Sequence, residues 1–392
     1  MRFSLLMLIL LPLLCIAADC YIFFVIRRRC NLIWLKTAHI ALSILLYAML
    51  GTAFCLVSNS SADASLVAAM WLIFSFFSIY IPKFFFVIFD LIARIPKRRL
   101  KWLSDIGLGL ATLLFMLFWW GALINRFSLD INEKEVEIAE LPDDFDGYKI
   151  VQISDMHVGT YLNDTTFVKK IVKTVNEQNP DLILFTGDIV TRHSRELEPF
   201  VATLRGFRAK DGAFAVLGNH DYAAYAPELR GNEEARSHDL QHLRDLYSQT
   251  SLKLLEDSHT FVRRGNDSIA IIGVGNIGRP PFPSAGSLHR AYPDIEDKSI
   301  KILMSHDPAH WEDSIRNNPA TNIALTLSGH THAMQTKLFG LSPAAMAENY
   351  WGGLYSDTLG RQLNVNIGTG TVGMPARIGA TPEITVITLR KK

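Results

Sequence analysis

Four apolar runs, residues 5–26, 37–57, 66–93 and 102–124, crowd into the first third of this 392-residue sequence. A helix needs roughly 20 apolar residues to cross about 30 Å of hydrocarbon, and each run is long enough. The first run opens like a secretory signal, with Arg2 before it and Ala17-Ala18 inside it. It nevertheless continues through Tyr21-Ile22-Phe23-Phe24-Val25-Ile26 into Arg27-Arg28-Arg29, which fits a retained helix. Four transmembrane helices are therefore expected in residues 1–128. All four cysteines (Cys15, Cys20, Cys30, Cys55) lie there, so the remainder offers neither a disulfide nor a thiolate ligand.

Basic residues flank the runs unevenly. Arg27, Arg28, Arg29 and Lys36 follow the first, and Arg94, Lys97, Arg98, Arg99 and Lys101 follow the third, whereas residues 58–65 carry none. Positively charged loops stay in the cytoplasm, which places both chain ends on the other side of a plasma (inner) membrane. Trp119 and Trp120 suit the outer interface. The third run is long and interrupted by Pro82-Lys83, and a second crossing there would reverse the parity. Asp19, Asp90 and Asp105 fall within or beside the runs on the side of the basic loops. Pairing with those arginines is the expectation, and an intramembrane function is the alternative.

Residues 129–392 have the mixed composition of an α/β domain. A net charge of +1 and a pI near 7.7 exclude a nucleic-acid binder driven by overall basicity, and no nucleic-acid partner is expected. Residues 135–138 alternate polar and apolar, as an edge strand does. Apolar runs at 148–154, 181–186, 214–217, 269–274, 300–304, 323–327, 363–367 and 384–389 read as strands, and 164–178 as an amphipathic helix. Strands alternating with helices imply a layered α/β fold offering ligands from loops at strand ends.

Five clusters punctuate this half: Asp155-Met156-His157, Gly187-Asp188, Gly218-Asn219-His220-Asp221, Ser305-His306-Asp307 and Gly329-His330-Thr331-His332. Taken singly, Asn219 is as good a turn residue and Asp188 as good a helix N-cap. Together they supply oxygen and imidazole donors for two metal ions. The series, closed by Gly368-Thr369-Gly370, Arg377 and Pro382-Glu383-Ile384, resembles the calcineurin-like metallophosphoesterase superfamily, and within it the bacterial membrane-associated phosphodiesterases. The resemblance covers about residues 130–390 and implies a four-layer αββα sandwich. By the same resemblance Asp155, His157 and His332 hold one ion, Asn219, His306 and His330 the other, and Asp188 bridges them. A hydroxide shared by the ions would attack phosphorus, and His220 would protonate the leaving oxygen, with Asp221 fixing its tautomer. Manganese, iron and zinc all suit such mixed ligands. His193, His238, His242, His259, His289 and His310 match no cluster; His193, just beyond Asp188, is the one nearest to it in sequence.

Two departures narrow the class. Protein phosphatases of this superfamily read GDxxDRG and GNHE, whereas this chain has Gly187-Asp188-Ile189-Val190-Thr191-Arg192 and ends its third motif in Asp221. Related phosphodiesterases read GHTHGGQ, whereas Ala333-Met334 here reshapes the entrance. Arg192 or Arg377 would clamp a phosphate or form a surface salt bridge. Only about ten residues part Trp120 from the first strand, so the domain is tethered near lipid. Leu338, Phe339, Leu341, Met346, Tyr350, Trp351, Leu354 and Tyr355, with Phe282 in the loop 278–283, either form an apolar rim for an amphiphilic, lipid-linked phosphate ester or pack on the core. The expected function is hydrolysis of a phosphodiester or pyrophosphate by a membrane-anchored enzyme. The alternatives are a lipid-precursor nucleotide pyrophosphatase facing the cytoplasm and, in another class, a transporter or signalling protein whose domain only binds a ligand.

Overall fold

The computed structural model describes residues 5–30, 32–96, 98–294 and 297–392; Arg2 and Lys97 lie outside them. The chain divides into two compact units, Met1–Leu123 with Gly373–Pro375, and Ile124–Val372 with Ala376–Lys392.

The first unit holds four helices long and apolar enough to cross a membrane: α1 (Leu5–Arg29), α2 (Ile33–Asn59), α3 (Asp63–Ile92) and α4 (Lys101–Leu123). Large apolar side chains such as Leu13, Ile44, Ile88 and Leu113 are exposed, while Leu46, Phe76 and Tyr80 are packed inside. That inside-out pattern is what a lipid-facing bundle needs. α3 runs unbroken through the buried Pro82 as a single helix of 30 residues. Trp119 packs on Trp71 and Phe74, and Trp120 is exposed. Asp90 and Asp105 pair with arginines as expected. Asp19 does not: its partners are Lys83 at 2.7 Å and the hydroxyls of Tyr80 and Tyr47. No arginine is involved because Lys83, inside α3, already reaches the same depth.

The second unit starts with β1 (Asp130–Ile138), β2 (Lys149–Ile153), α5 (Thr166–Glu177), β3 (Leu182–Phe185), α6 (Val201–Leu204), β4 (Ala213–Ala215), α7 (Glu233–Ser248) and β5 (Leu252–Leu254). It continues with β6 (Ser258–Arg264), β7 (Asp267–Gly273), α8 (Leu288–Ala291), β8 (Ile300–Met304), β9 (Ile323–Ser328), β10 (Gly353–Ser356), β11 (Gln362–Val365) and β12 (Glu383–Lys391). One sheet has the order β1-β12-β2-β3-β4-β5 and the other β10-β11-β9-β8-β7-β6. β1 is an edge strand whose charged Glu133, Lys134, Glu135 and Glu137 discourage further pairing.

Side-chain alternation sorts residues between layers. Ile150, Leu182, Ile302 and Leu325 fill the space between the sheets. Val151, Ile153, Ile183 and Phe185 face the other way, toward Phe167, Ile171 and Val175 of α5 and Leu243 and Tyr247 of α7. Both faces of these strands are buried, which is why they read as continuous apolar runs. On the far side of the second sheet, Leu303, Ile323 and Val365 are covered by Ala291 of α8 and by Trp311 and Ile315 of a short helical turn. The architecture is the four-layer αββα sandwich, with its last helical layer reduced to short turns. β2, β3 and β4 run parallel, as do β7, β8, β9 and β11, so their C-terminal ends gather the loops that carry all five clusters.

Candidate metal centre

Two groups of ligand atoms converge where the five loops meet. Asp155, His157 and His332 form one, and Asp188, His306 and His330 the other, each with its ligand atoms within 4.8 Å of one another. In the first group, His157 Nε2 faces His332 Nε2 at 2.9 Å, and Asp155 Oδ1 lies 3.3 Å from the latter. In the second, Asn219 Oδ1 lies 3.2 Å from His306 Nε2 and 2.9 Å from His330 Nδ1. Donors around a cation at about 2.0–2.2 Å stand roughly 3 Å apart, so both groups have the spacing of a coordination shell. Asp188 faces a nitrogen of each group. Its Oδ2 is 3.2 Å from His306 Nε2 and 3.7 Å from His157 Nε2.

The backbone bends to achieve this. Asp155, His157, Asp188, His330 and His332 all have positive φ, between 44° and 75°. A non-glycine residue there costs roughly 1–3 kcal/mol, and such strain persists only where surrounding structure enforces it. Glycines beside the ligands admit the crowding. A Cβ on Gly218 would overlap the Asp188 carboxylate, and one on Gly329 would overlap Ser154 and the Asp155 carboxylate.

The nitrogens pointing away from the centre are mostly held by backbone oxygens. His157 Nδ1 donates to the Val190 carbonyl at 3.1 Å and His306 Nδ1 to that of Thr186 at 2.7 Å. Such partners fix the tautomer and aim the free nitrogen. Burial drives the His157 pKa well below its ordinary value, with His220 and His332 adding to the effect, and burial lowers His330 too. Burial opposes the charge on Asp155, yet His332 and His306 hold its pKa below the carboxylate range; His306 and His220 do the same for Asp188. Burial also disfavours charge on His306, but Asp188 raises its pKa to about 10. The carboxylates are thus ionised and His157 and His330 neutral, the forms that bind cations, and His306 carries a proton a cation would displace. The donor set fits two divalent ions.

His220 stands beside the first group, its ring edge-on to His157 at 4.8 Å. Its Nδ1 donates to the Thr191 carbonyl at 2.6 Å, which leaves Nε2 as the nitrogen that exchanges protons. Asp221 does not play the expected part. Its carboxylate accepts from the backbone N–H groups of Gly218, Asp188, Ile189 and Val190 at 2.9–3.2 Å and makes no bond to His220. The short turn at Asn219–Tyr222 directs Asp221 inward under the Asp188 loop, so Thr191 takes over the orienting role.

Arg377 also departs from expectation. It is fully buried and donates to the carbonyls of Gly370, Ala380 and Ile367, and its Nη2 lies 3.1 Å from His332 Nδ1. It is neither a phosphate clamp nor a surface salt bridge; it ties the 367–380 segment behind His332. Arg192 pairs with the buried Glu196 at 3.3 Å. His193, His238, His242, His259, His289 and His310 join neither ligand group. Sequence reasoning missed Tyr225, whose ring stacks on His220 at 4.1 Å and whose hydroxyl accepts from Asn219 Nδ2 at 3.0 Å. No motif surrounds it, and only the αL turn at Ala223 brings it back over the site.

The apolar segment after the last cluster divides between the two expected roles. Tyr350 and Tyr355 pack on the outer core of the second sheet, Leu354 on the inner core, and Trp351 on Ala333 and Ile367. Leu338, Phe339, Leu341 and Met346 are exposed, Phe339 completely, and Met334 is half-exposed between them and His332. Phe282 meets His330 edge-on at 4.7 Å.

Comparison with known proteins agrees with this geometry. The family profile described as "Calcineurin-like phosphoesterase" matches residues 148–334, and "Probable Calcineurin-like phosphoesterase, transmembrane domain" matches residues 1–126. The metallophosphoesterase YkuE of Bacillus subtilis is 30% identical over 272 residues, covering 67% of this chain and 86% of YkuE. A zebrafish (Danio rerio) transmembrane protein with a metallophosphoesterase domain is 30% identical over 264 residues, 66% of this chain; the chain spans only 56% of that relative. The UDP-2,3-diacylglucosamine pyrophosphatase LpxG of Chlamydia trachomatis is 29% identical over 255 residues, covering 55% of this chain and 73% of LpxG.

Proposed function

The chain belongs to the calcineurin-like metallophosphoesterases, and from that premise we propose that it is a membrane-anchored hydrolase with two metal ions that cleaves a phosphodiester or pyrophosphate bond in an amphiphilic substrate. The observation that carries this reading is Asp188 Oδ2, placed within reach of a nitrogen from each ligand group. Asp155, His157 and His332 would hold one ion, and Asn219, His306 and His330 the other, with Asp188 between them. Two divalent ions bound there would supply Lewis acidity for the phosphoryl oxygens and activate water near neutral pH.

The chain's own residues do the rest. Asp221 fixes the Asp188 loop through four amides, and the turn it anchors presents His220. With Nδ1 committed to Thr191 and burial lowering the His220 pKa, Nε2 is free at rest and is the nitrogen through which a proton taken up from water would pass to the leaving oxygen. Tyr225 keeps that ring in its plane and orients the Asn219 amide so that Oδ1 faces His306 and His330. Leu338, Phe339, Leu341 and Met346 offer apolar surface to the non-polar part of the substrate.

Asp188→Ala tests the reading. The full-length variant in detergent should hydrolyse an aryl phosphodiester with added manganese at least 1,000-fold more slowly than the wild type, because both ions lose a ligand. A variant that keeps the wild-type rate would falsify the two-ion arrangement. The pyrophosphate form of the reading is supported by the likeness to LpxG and by the exposed apolar loop.

A further inference from the structure

A second concentration of charge lies in the membrane bundle. Asp90 of α3 is completely buried and accepts hydrogen bonds from five side chains. Tyr21 and Arg29 of α1 reach it at 2.7 and 3.2 Å, Arg94 at 2.8 Å, Arg99 at 2.7 Å, and Ser104 of α4 at 2.6 Å. Arg29 also bonds Asp105 at 3.0 Å. Three guanidiniums therefore meet only two carboxylates. Each is about one quarter exposed, and the buried Nε of Arg99 has no acceptor among the described residues. A single arginine would satisfy a buried carboxylate, whereas three arginines, each with five N–H groups, leave donors in excess. Planar donors converging from several directions suit the oxygens of a phosphate.

Arg29 also lines a groove of about 770 Å³ in the same bundle. Its walls are apolar, formed by Val25, Ile26, Ile79, Phe86, Leu108 and Phe115, and its volume lies within the roughly 300–1,000 Å³ of small-molecule sites. Lys83 lines it too but is already paired with Asp19. A cationic cluster that reaches an apolar groove through Arg29 matches the polarity of an amphiphile with a negative head. We propose that the arginine cluster and this groove bind an anionic phospholipid, its phosphate on Arg29, Arg94 and Arg99 and an acyl chain along the groove. The charge complementarity selects a lipid over other apolar occupants, and basic loops of this kind sit against a leaflet rich in anionic lipid. The site is separate from the metal centre and stands whether or not the hydrolytic reading holds.

Native mass spectrometry of the full-length protein in neutral detergent tests this, with phosphatidylglycerol, phosphatidylcholine and inorganic phosphate as probes. Wild type should retain phosphatidylglycerol at least tenfold better than phosphatidylcholine. Arg94→Gln combined with Arg99→Gln should abolish that preference. Thr112→Trp fills the groove from an exposed position and leaves every charge in place, and it should cut phosphatidylglycerol retention about tenfold. Should the double variant not fold, Thr112→Trp decides alone. Equal retention of the two lipids, retention unaffected by Thr112→Trp, or displacement of the lipid by millimolar inorganic phosphate would each overturn the proposal.

Discussion

Asp221 shows how a residue can be found by motif and misread in role. A carboxylate next to a candidate proton donor suggests a histidine–carboxylate pair, yet this one spends both oxygens on four backbone amides beneath Asp188. Burial and the neighbouring Asp188 push its pKa up to about 7 while the amides favour its charged form, so the residue is first a staple for the Asp188 loop. Asp221→Asn turns one acceptor into a donor facing N–H groups. It should lower the unfolding midpoint of the full-length protein by several degrees and reduce bound metal, measured by elemental analysis, at least tenfold. A residue acting only on His220 would instead slow turnover with stability and metal content intact. The positive φ at Asp188 is held by the same staple and that at His332 by Arg377 behind it, since strain of this kind needs rigid surroundings.

Among the elements, what the sequence reveals depends on how deeply each one is buried. β2, β3, β4, β8 and β9 are covered on both faces, so their apolar runs stand out, and the five clusters follow from their C-terminal ends. β6 and β10 lie at the outer edges of the second sheet and α7 buries only Leu243, Leu246 and Tyr247, so their patterns are too diluted to read. The ligands were legible for the same reason that Tyr225 was not: motif residues sit at fixed offsets from strands, whereas Tyr225 arrives through a turn. The apolar segment after His332 was half legible, because composition cannot separate Tyr350, Trp351, Leu354 and Tyr355, which pack inward, from Phe339 and Leu341, which do not. The exposed pair forms the tip of a tight turn at Gly340 and supports nothing in the core. Phe339→Ser with Leu341→Ser should therefore leave stability and hydrolysis of a soluble diester unchanged, while slowing turnover of a phosphodiester lipid in mixed micelles about tenfold. Equal slowing on both substrates would remove the loop from substrate recognition.

At the scale of the whole molecule, the decisive variable is the side of the membrane on which the second unit lies. Arg94, Arg98 and Arg99 lie between α3 and α4 and Lys101 opens α4, whereas the connection before α3 carries no lysine or arginine. By the positive-inside rule we propose that this basic loop lies in the cytoplasm, which would put everything after Leu123 on the opposite side. The continuity of α3 through Pro82 supports this parity. An export-dependent alkaline phosphatase fused after Lys392 should therefore be active, and a reporter that fluoresces only in the cytoplasm should be dark. The metal chemistry would be the same in either compartment, so the compartment selects the substrate. An active fusion excludes cytoplasmic nucleotide-linked lipid precursors and leaves phosphodiesters or pyrophosphates on the outer face. A dark phosphatase with a bright cytoplasmic reporter would move the second unit among the nucleotide sugars and turn the reading toward a lipid-precursor pyrophosphatase.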